Sequence, residues 1–217
     1  MATRAYRAQR RSTRSDATRE RIMSAVRELL AEGSFHESTV EEVADRAGIA
    51  RATLYQHFGS RLDLVDGICD TFAVNPALLA IRETVELPDP EEALADTVSN
   101  CVRFWSSEDA ILSQLYGVSA IDPAAKDLVD RQRADRRGEM QRLVRHLHTT
   151  GRLRSGVSER KALALLLVLT SYETFRELRA AGLSDRELTK SLGETGRTLL
   201  LSGSRSSAGA TGGTRPA

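Results

Sequence analysis

TVEEVADRAGIARATLYQHF, residues 39–58, is the stretch whose reading decides the fold. It divides around Gly48 into two short amphipathic helices. Val43, Ala44 and Ala47 form the inward face of the first, and Leu54 and Phe58 return to the same core from the second. Gly48 tolerates the left-handed conformation that ends the first helix, and Ile49 plugs the angle between the two. Ser38 and Thr39 can cap the first helix, with Ser38-x-x-Glu41 at capping-box spacing. The outer face of the second helix is small or polar: Arg51, Ala52, Tyr55 and Gln56. A helical hairpin alone is a moderate signal, because many helical proteins contain one. This outer face sharpens it. Arg51 matches a guanine edge, Gln56 an adenine edge and Ala52 a thymine methyl. Tyr55, His57 and Arg61 suit phosphate oxygens, which fix register without reading sequence. Plainer roles stand beside these: a partly buried ring for Tyr55, local capping for His57, a solvent-facing amide for Gln56.

Working outward, the 217-residue chain is 41% hydrophobic with a net charge of +1, enough apolar content for a sizeable core. The charge is uneven. Arg4, Arg7, Arg10, Arg11, Arg14, Arg19 and Arg21 face only Asp16 and Glu20. Such an arm is either a solvated, disordered leader or a local polyanion contact. Cys69 and Cys101 are too few for a disulfide framework and lack metal-ligand company, so no metal and no cofactor are expected. No apolar leader opens the chain, and the longest apolar run, Ala162 to Leu169, is far short of the roughly 20 residues a bilayer requires. A cytoplasmic protein with no membrane contact is therefore expected. Four histidines without a matching nucleophile or acid, and no phosphate-cradling glycine loop, argue against an enzyme.

Strand signals are almost absent and helix starts recur, so the expected fold is all-α with about nine helices. The first spans about 16–32, with Ile22, Ala25, Val26, Leu29 and Leu30 on one face. After the opening pair, a fourth follows Ser60 and buries Leu64, Val65, Ile68 and Phe72. Pro76, Pro88 and Pro90 interrupt the pattern before helices over about 90–106 and 108–118. Others run over about 123–149, 158–181 and 184–201. The sequence SGSRSSAGATGGTRPA, 202–217, reads as a disordered tail.

The pattern T-V-x-x-V-A-x-x-A-G-I-x-x-x-T-L-Y-x-H-F-x-S-R-x-x-L resembles the DNA-binding domain of the TetR family of bacterial transcriptional regulators. The likeness covers about 18–72, and the Leu54-Tyr55-x-His57-Phe58 block is its most specific part. It implies an N-terminal three-helix domain with a helix-turn-helix joined to a C-terminal helical bundle. The resulting division is a basic disordered arm at 1–14, a DNA-binding domain at 15–61, a ligand-binding and dimerisation domain at 62–201, and the disordered tail at 202–217. It also implies a homodimeric repressor on a palindromic double-stranded DNA operator. Carried over by position, Thr39, Thr53, Tyr55, His57 and Arg61 are backbone contacts, and Arg51, Ala52 and Gln56 are base readers. In this setting Arg10, Arg11 and Arg14 of the arm are candidates for the adjacent minor groove. One departure stands out: the family often carries serine where this chain has Ala50, at the cap of the recognition helix.

For the C-terminal half, a helix apolar nearly all round through Leu165 and Leu169 must be covered on both sides. With Leu188, Leu192 and Leu199 of the last helix it would form an isologous four-helix interface. Asn100, Cys101, Phe104, Trp105, Gln114, Tyr116, Tyr172 and Glu173 are the candidates for a pocket holding a small, mostly apolar effector. An aromatic at such helical spacing is more often plain core. The alternative function is an architectural or partner-controlled DNA binder without a small-molecule ligand, in which the arginine arm dominates affinity.

Overall fold

A computed structural model describes residues 2–85 and 87–202, and the side chains of residues 2–14 and of Ala124 are not among what it describes. Among the described residues ten helices follow in order: α1 (Ala2–Ala31), α2 (Val40–Arg46), α3 (Arg51–His57), α4 (Arg61–Phe72), α5 (Pro76–Thr84), α6 (Pro90–Ser119), α7 (Pro123–Thr149), α8 (Glu159–Leu169), α9 (Tyr172–Ala180) and α10 (Asp185–Leu200). The fold is all-α, an N-terminal helix-turn-helix joined to a C-terminal helical bundle. Among the described residues the sole extended pairing is an isolated bridge, Leu153 to Leu201, which ties the end of α10 to the turn after α7. No single helix among them is long and apolar enough to cross a membrane.

The anticipated inward faces are the ones buried. Ile22, Ala25, Val26, Leu29 and Leu30 of α1 meet Val43 and Ala44 of α2, Leu54 of α3, and Leu64, Ile68 and Phe72 of α4 in one core. Between α2 and α3 the chain makes a Schellman turn: the Gly48 N–H donates to Asp45 and the Ile49 N–H to Ala44. Gly48 stands at φ +62°, and Arg21 Nη2 donates to its carbonyl at 2.7 Å. Arg21 thus closes the orphan end of α2 from α1.

Four features differ from the sequence reading. The segment expected as a disordered arm is helical, because α1 starts at Ala2. Nothing before Ile22 breaks it: the run holds no glycine or proline and is rich in arginine and alanine, both good helix formers. An additional helix, α5, begins at Pro76, capped by the Asn75 side chain, so this proline starts a helix instead of interrupting the chain. The helices expected over 90–106 and 108–118 are one, α6. The helix expected over 158–181 is two, because Ser171 leaves helical geometry and caps α9 through the Thr174 amide. Of the tail, Ser202 donates its N–H to the Arg152 carbonyl at 2.9 Å, and residues 203–217 lie outside the described residues.

The long α6 lies at the centre of the C-terminal bundle, against α5, α7 and α10, and α4 packs on both α1 and α7. The α1 side of that contact depends on Gly67. A Cβ there would stand 2.9 Å from Met23 Sδ of α1 and 2.9 Å from Phe58 Cε1. The thioether can swing away, but the Phe58 ring is held under the Arg19 guanidinium, 4.6 Å from its centroid. Alanine for glycine inside a helix ordinarily gains roughly 0.5–1 kcal/mol. Here overpacking reverses the sign, and Gly67→Ala is expected to lose about 1–3 kcal/mol in urea denaturation. A gain in stability would contradict this account of the α1–α4 contact.

Candidate nucleic-acid interface and ligand cavity

The outer face of α3 is arranged as its sequence suggests. Arg51, Ala52 and Gln56 are exposed, Tyr55 is 43% exposed, Thr53 and His57 are half-buried, and Leu54 and Phe58 lie in the core. Thr39 takes up the capping box, with Glu42 instead of the Ser38–Glu41 pair. Its hydroxyl accepts from the Glu42 amide at 3.2 Å, and Glu42 returns to the Thr39 amide at 3.4 Å. Ser38 is buried and donates its hydroxyl back to the Ser34 carbonyl at 2.8 Å. As an accepting cap, Thr39 keeps its own O–H proton available to an outside acceptor.

Arg51 opens α3, where a cation opposes the helix dipole. Glu41 of α2 pairs with it, and its guanidinium lies 5.5 Å from the Tyr55 ring centroid. Contact with Tyr55 and the Glu41 charge raises the Arg51 pKa further above the ordinary arginine value. Both partners of the Glu41 pair are exposed, and water screens such a pair strongly. The guanidinium is therefore free to exchange Glu41 for another acceptor.

Arg61 is placed differently from the expectation of a phosphate contact. Its Nη1 donates to the Ser38 carbonyl, the guanidinium lies 4.3 Å from the Phe35 ring centroid, and Nη2 is buried without a partner. Burial lowers its pKa. Arg61 straps the start of α4 onto the turn before α2, which positions the reading face without lying on it. Arg19 and Arg21, counted with the basic arm, are also occupied internally: Arg19 Nη2 meets Asp70 at 3.3 Å. The side chains of Arg10, Arg11 and Arg14 lie outside the described residues.

The cap of α3 is bare. Ala50 has the extended geometry of an N-cap (φ −69°, ψ 144°) and no side-chain bond. Ala50→Ser fits that backbone and is expected to add about 1 kcal/mol, a rise of roughly 2–4 °C in Tm. Thermal unfolding followed by circular dichroism checks it, and an unchanged Tm contradicts it.

Behind this domain a cavity of about 380 Å³ opens between α4, α5, α6 and α7. Four of the eight expected effector residues line it: Cys101, Phe104, Trp105 and Tyr116. The other four are employed elsewhere. Asn100 is buried and accepts from Arg103 at 3.2 Å. Gln114 sits at the end of α1, its Nε2 3.6 Å from the place of a Cβ on Gly33. The Tyr172 hydroxyl donates to Asp109 at 2.6 Å, and its ring backs Trp105 and Tyr116. Glu173 receives Arg133 at 2.7 Å. Cys69 and Cys101 both reach the cavity wall, and burial pushes each thiol up to about 12, so neither carries useful thiolate character.

Two residues that periodicity alone did not single out join the C-terminal bundle to the DNA-binding domain. Glu108 of α6, 6% exposed, accepts from Arg27 Nη1 of α1 at 2.8 Å and from Asn75 Nδ2 at 3.0 Å. Arg27 Nη2 donates in turn to Thr71 of α4. One carboxylate thus gathers α1, α4 and the α4–α5 corner onto α6. Its sequence signal is an acid at helical spacing among Phe104, Trp105, Ile111 and Leu112, where a buried charge demands a partner. The α4 wall of the cavity continues the link, because Phe72 meets Phe104 edge-on at 5.5 Å.

The dimer expectation is corrected in part. Leu188 and Leu192 are 0% and 6% exposed within the single chain, since α10 lays them against its own α6 and α8. Leu165, Leu169 and Leu199 keep partial exposure, beside Ala164 and the 62%-exposed Val168 on α8.

Residues 22–68 match the family model described as bacterial regulatory proteins, tetR family. An uncharacterized HTH-type transcriptional regulator of Bacillus subtilis (strain 168), YdeS, is 29% identical over 113 residues. The match covers 50% of this chain and 53% of that protein, so the chain spans about half the length of this curated relative. Among solved structures, a SmeT–triclosan complex superposes with TM-score 0.67 at 17% identity, over 93% of this chain and 100% of that one. NalD, the secondary repressor of a multidrug efflux pump in Pseudomonas aeruginosa, gives 0.65 at 23% identity, over 86% and 97%. At these identities the structural likeness speaks for the fold, and the sequence match over the helix-turn-helix speaks for the lineage. Residues 22–68 thus carry a helix-turn-helix of the type described as bacterial regulatory proteins, tetR family, on a chain that shares the fold of such regulators.

Proposed function

We propose that this protein is a homodimeric repressor whose α3 helices read a palindromic operator, and that a small, mostly apolar effector filling the cavity releases it. The observation that carries this reading is the double employment of α4. Its Phe72 and Cys69 line the cavity, while its Gly67 touches the DNA-binding core at Met23 and Phe58. An occupant pressing on α4 moves the surface on which α3 is seated. A dimer spaces its two recognition helices to half-sites roughly 34–36 Å apart, so a modest tilt misplaces one of them.

On this reading Arg51, Ala52 and Gln56 face base edges. Tyr55, His57, Thr53 and the free proton of Thr39 face phosphate oxygens, and Arg61 holds the scaffold. The exposed strip of α8, Ala164, Leu165, Val168 and Leu169, is the surface for the second copy. Residues 15–61 form the DNA-reading unit, with α4 as the hinge to the rest.

Fluorescence anisotropy on DNA from upstream of the protein's own gene, with and without candidate effectors, tests the proposal. Triclosan, seen in complex with SmeT, is a sensible first probe. Specific binding that a cavity ligand weakens supports the reading. Specific binding that no occupant of the cavity alters leaves a regulator without effector release and contradicts this half of it.

A further inference from the structure

The charged side chains lining the cavity can be followed to their partners one by one. Asp66 receives Arg131 at 2.6 Å, and Asp70 receives Arg19 at 3.3 Å. Glu139 receives Arg142 at 2.7 Å and lies 3.7 Å from Arg82. Arg133 donates to Glu173 at 2.7 Å. Asp135 is exposed to water. Arg136 of α7 is left, and it is the exception.

Nη1 of Arg136 donates to the Leu167 carbonyl at 3.0 Å and to Thr170 Oγ1 at 2.9 Å, both neutral acceptors. Among the described residues no carboxylate lies within ion-pair distance, and no acceptor meets Nε or Nη2. The end of α8 presents its carbonyl dipole here, equivalent to about half a charge and not a full counter-ion. Burial lowers the Arg136 pKa, in keeping with a half-buried cation partly withdrawn from water, which a nearby anion would stabilise. Beside Gln132, Tyr116 and the two cysteines, the remaining wall is aromatic and aliphatic, with Phe72, Phe104, Trp105, Leu112 and Met140.

We infer that the effector is an amphipathic anion, its carboxylate held by the Arg136 fork and its apolar chain lying among these aromatic and aliphatic side chains. Arginine suits the role because its planar donors match a carboxylate two at a time. Glu173 acts on Arg136 only from beyond ion-pair distance and is itself paired with Arg133, so a carboxylate in the cavity supplies a direct counter-ion and displaces no existing ion pair. The inference rests on the effector-released reading above and adds the chemical class of the effector.

The test uses the chain's single tryptophan as reporter. Trp105 lines the cavity, and its indole N–H donates at 3.1 Å to the carbonyl of Thr170, the residue whose hydroxyl receives Arg136. Full-length protein is titrated with decanoate and with 1-decanol, which shares the chain but not the charge. Decanoate is expected to bind at least about tenfold more tightly. In Arg136→Met, of similar length but uncharged, that ratio falls to about one, and Arg136→Lys keeps part of it. Equal or tighter binding of decanol to the wild-type protein overturns the inference, as does a preference that survives in Arg136→Met. Binding of neither probe overturns it as well. Anisotropy with operator DNA is read in parallel. If decanol releases DNA and decanoate does not, effector release stands and the anionic head falls.

Discussion

Glu108→Ala is expected to cost about 3 kcal/mol of folding stability, the lower end of the range for breaking a buried ion pair. The lower end applies because the Arg27 side chain is still 33% exposed, whereas that of Glu108 is 8% exposed. Removing the carboxylate leaves Arg27 with Thr71 and the Phe72 ring, leaves Asn75 with only its 3.4 Å bond to Ser107, and opens a void beside Phe104. Glu108→Gln keeps the shape and one acceptor oxygen and should lose roughly half as much. Urea denaturation monitored by circular dichroism gives both values. A loss below about 1 kcal/mol for the alanine variant would show that the α1–α4–α6 junction does not depend on this carboxylate. On the proposed function the same variant also blunts release of DNA by a cavity ligand, since α4 and α6 no longer move as one.

The second large effect is expected on recognition. Arg51→Ala combined with Gln56→Ala removes both side chains capable of bidentate base contacts, each worth about 1–3 kcal/mol of discrimination. Together they should lower the preference for operator over random DNA by on the order of a hundredfold or more. Both residues are exposed, so stability should hardly change. Replacing Tyr55 or His57 should instead weaken binding to all sequences alike, because phosphate contacts carry no sequence information directly. Titrations at fixed salt with operator and scrambled duplexes separate the two patterns. A double variant that keeps the wild-type ratio would remove α3 as the reading helix.

The helix-turn-helix was legible because its determinants are local. Gly48, the spacing of Val43, Ala44, Leu54 and Phe58, and the absent cap at Ala50 are all properties of about twenty consecutive residues. The misreadings arose where distant partners outvoted local signals. Ser106-Ser107-Glu108-Asp109 resembles a helix start, yet Ser107 bonds back to Phe104 at 3.0 Å and Glu108 finds Arg27 and Asn75 from far along the chain. Pro76 follows Val74 and Asn75 in what reads as a breaker cluster, but the asparagine side chain caps a helix there. Leu188 and Leu192 show the limit from the other side. Periodicity identifies an apolar face without saying whether the same chain or a second copy covers it. Arg136 was passed over because a charge on a polar helix reads as solvated, and only the packing of the bundle brings it to the cavity wall and to the end of α8.

The central claim is that α3 reads DNA sequence. Its most direct test is the affinity ratio between DNA from upstream of the protein's own gene and scrambled DNA of equal length, measured by anisotropy at physiological salt without effector. The account predicts a preference of about a thousandfold or more, the usual separation of specific from non-specific binding. Equal affinity for both duplexes would contradict it.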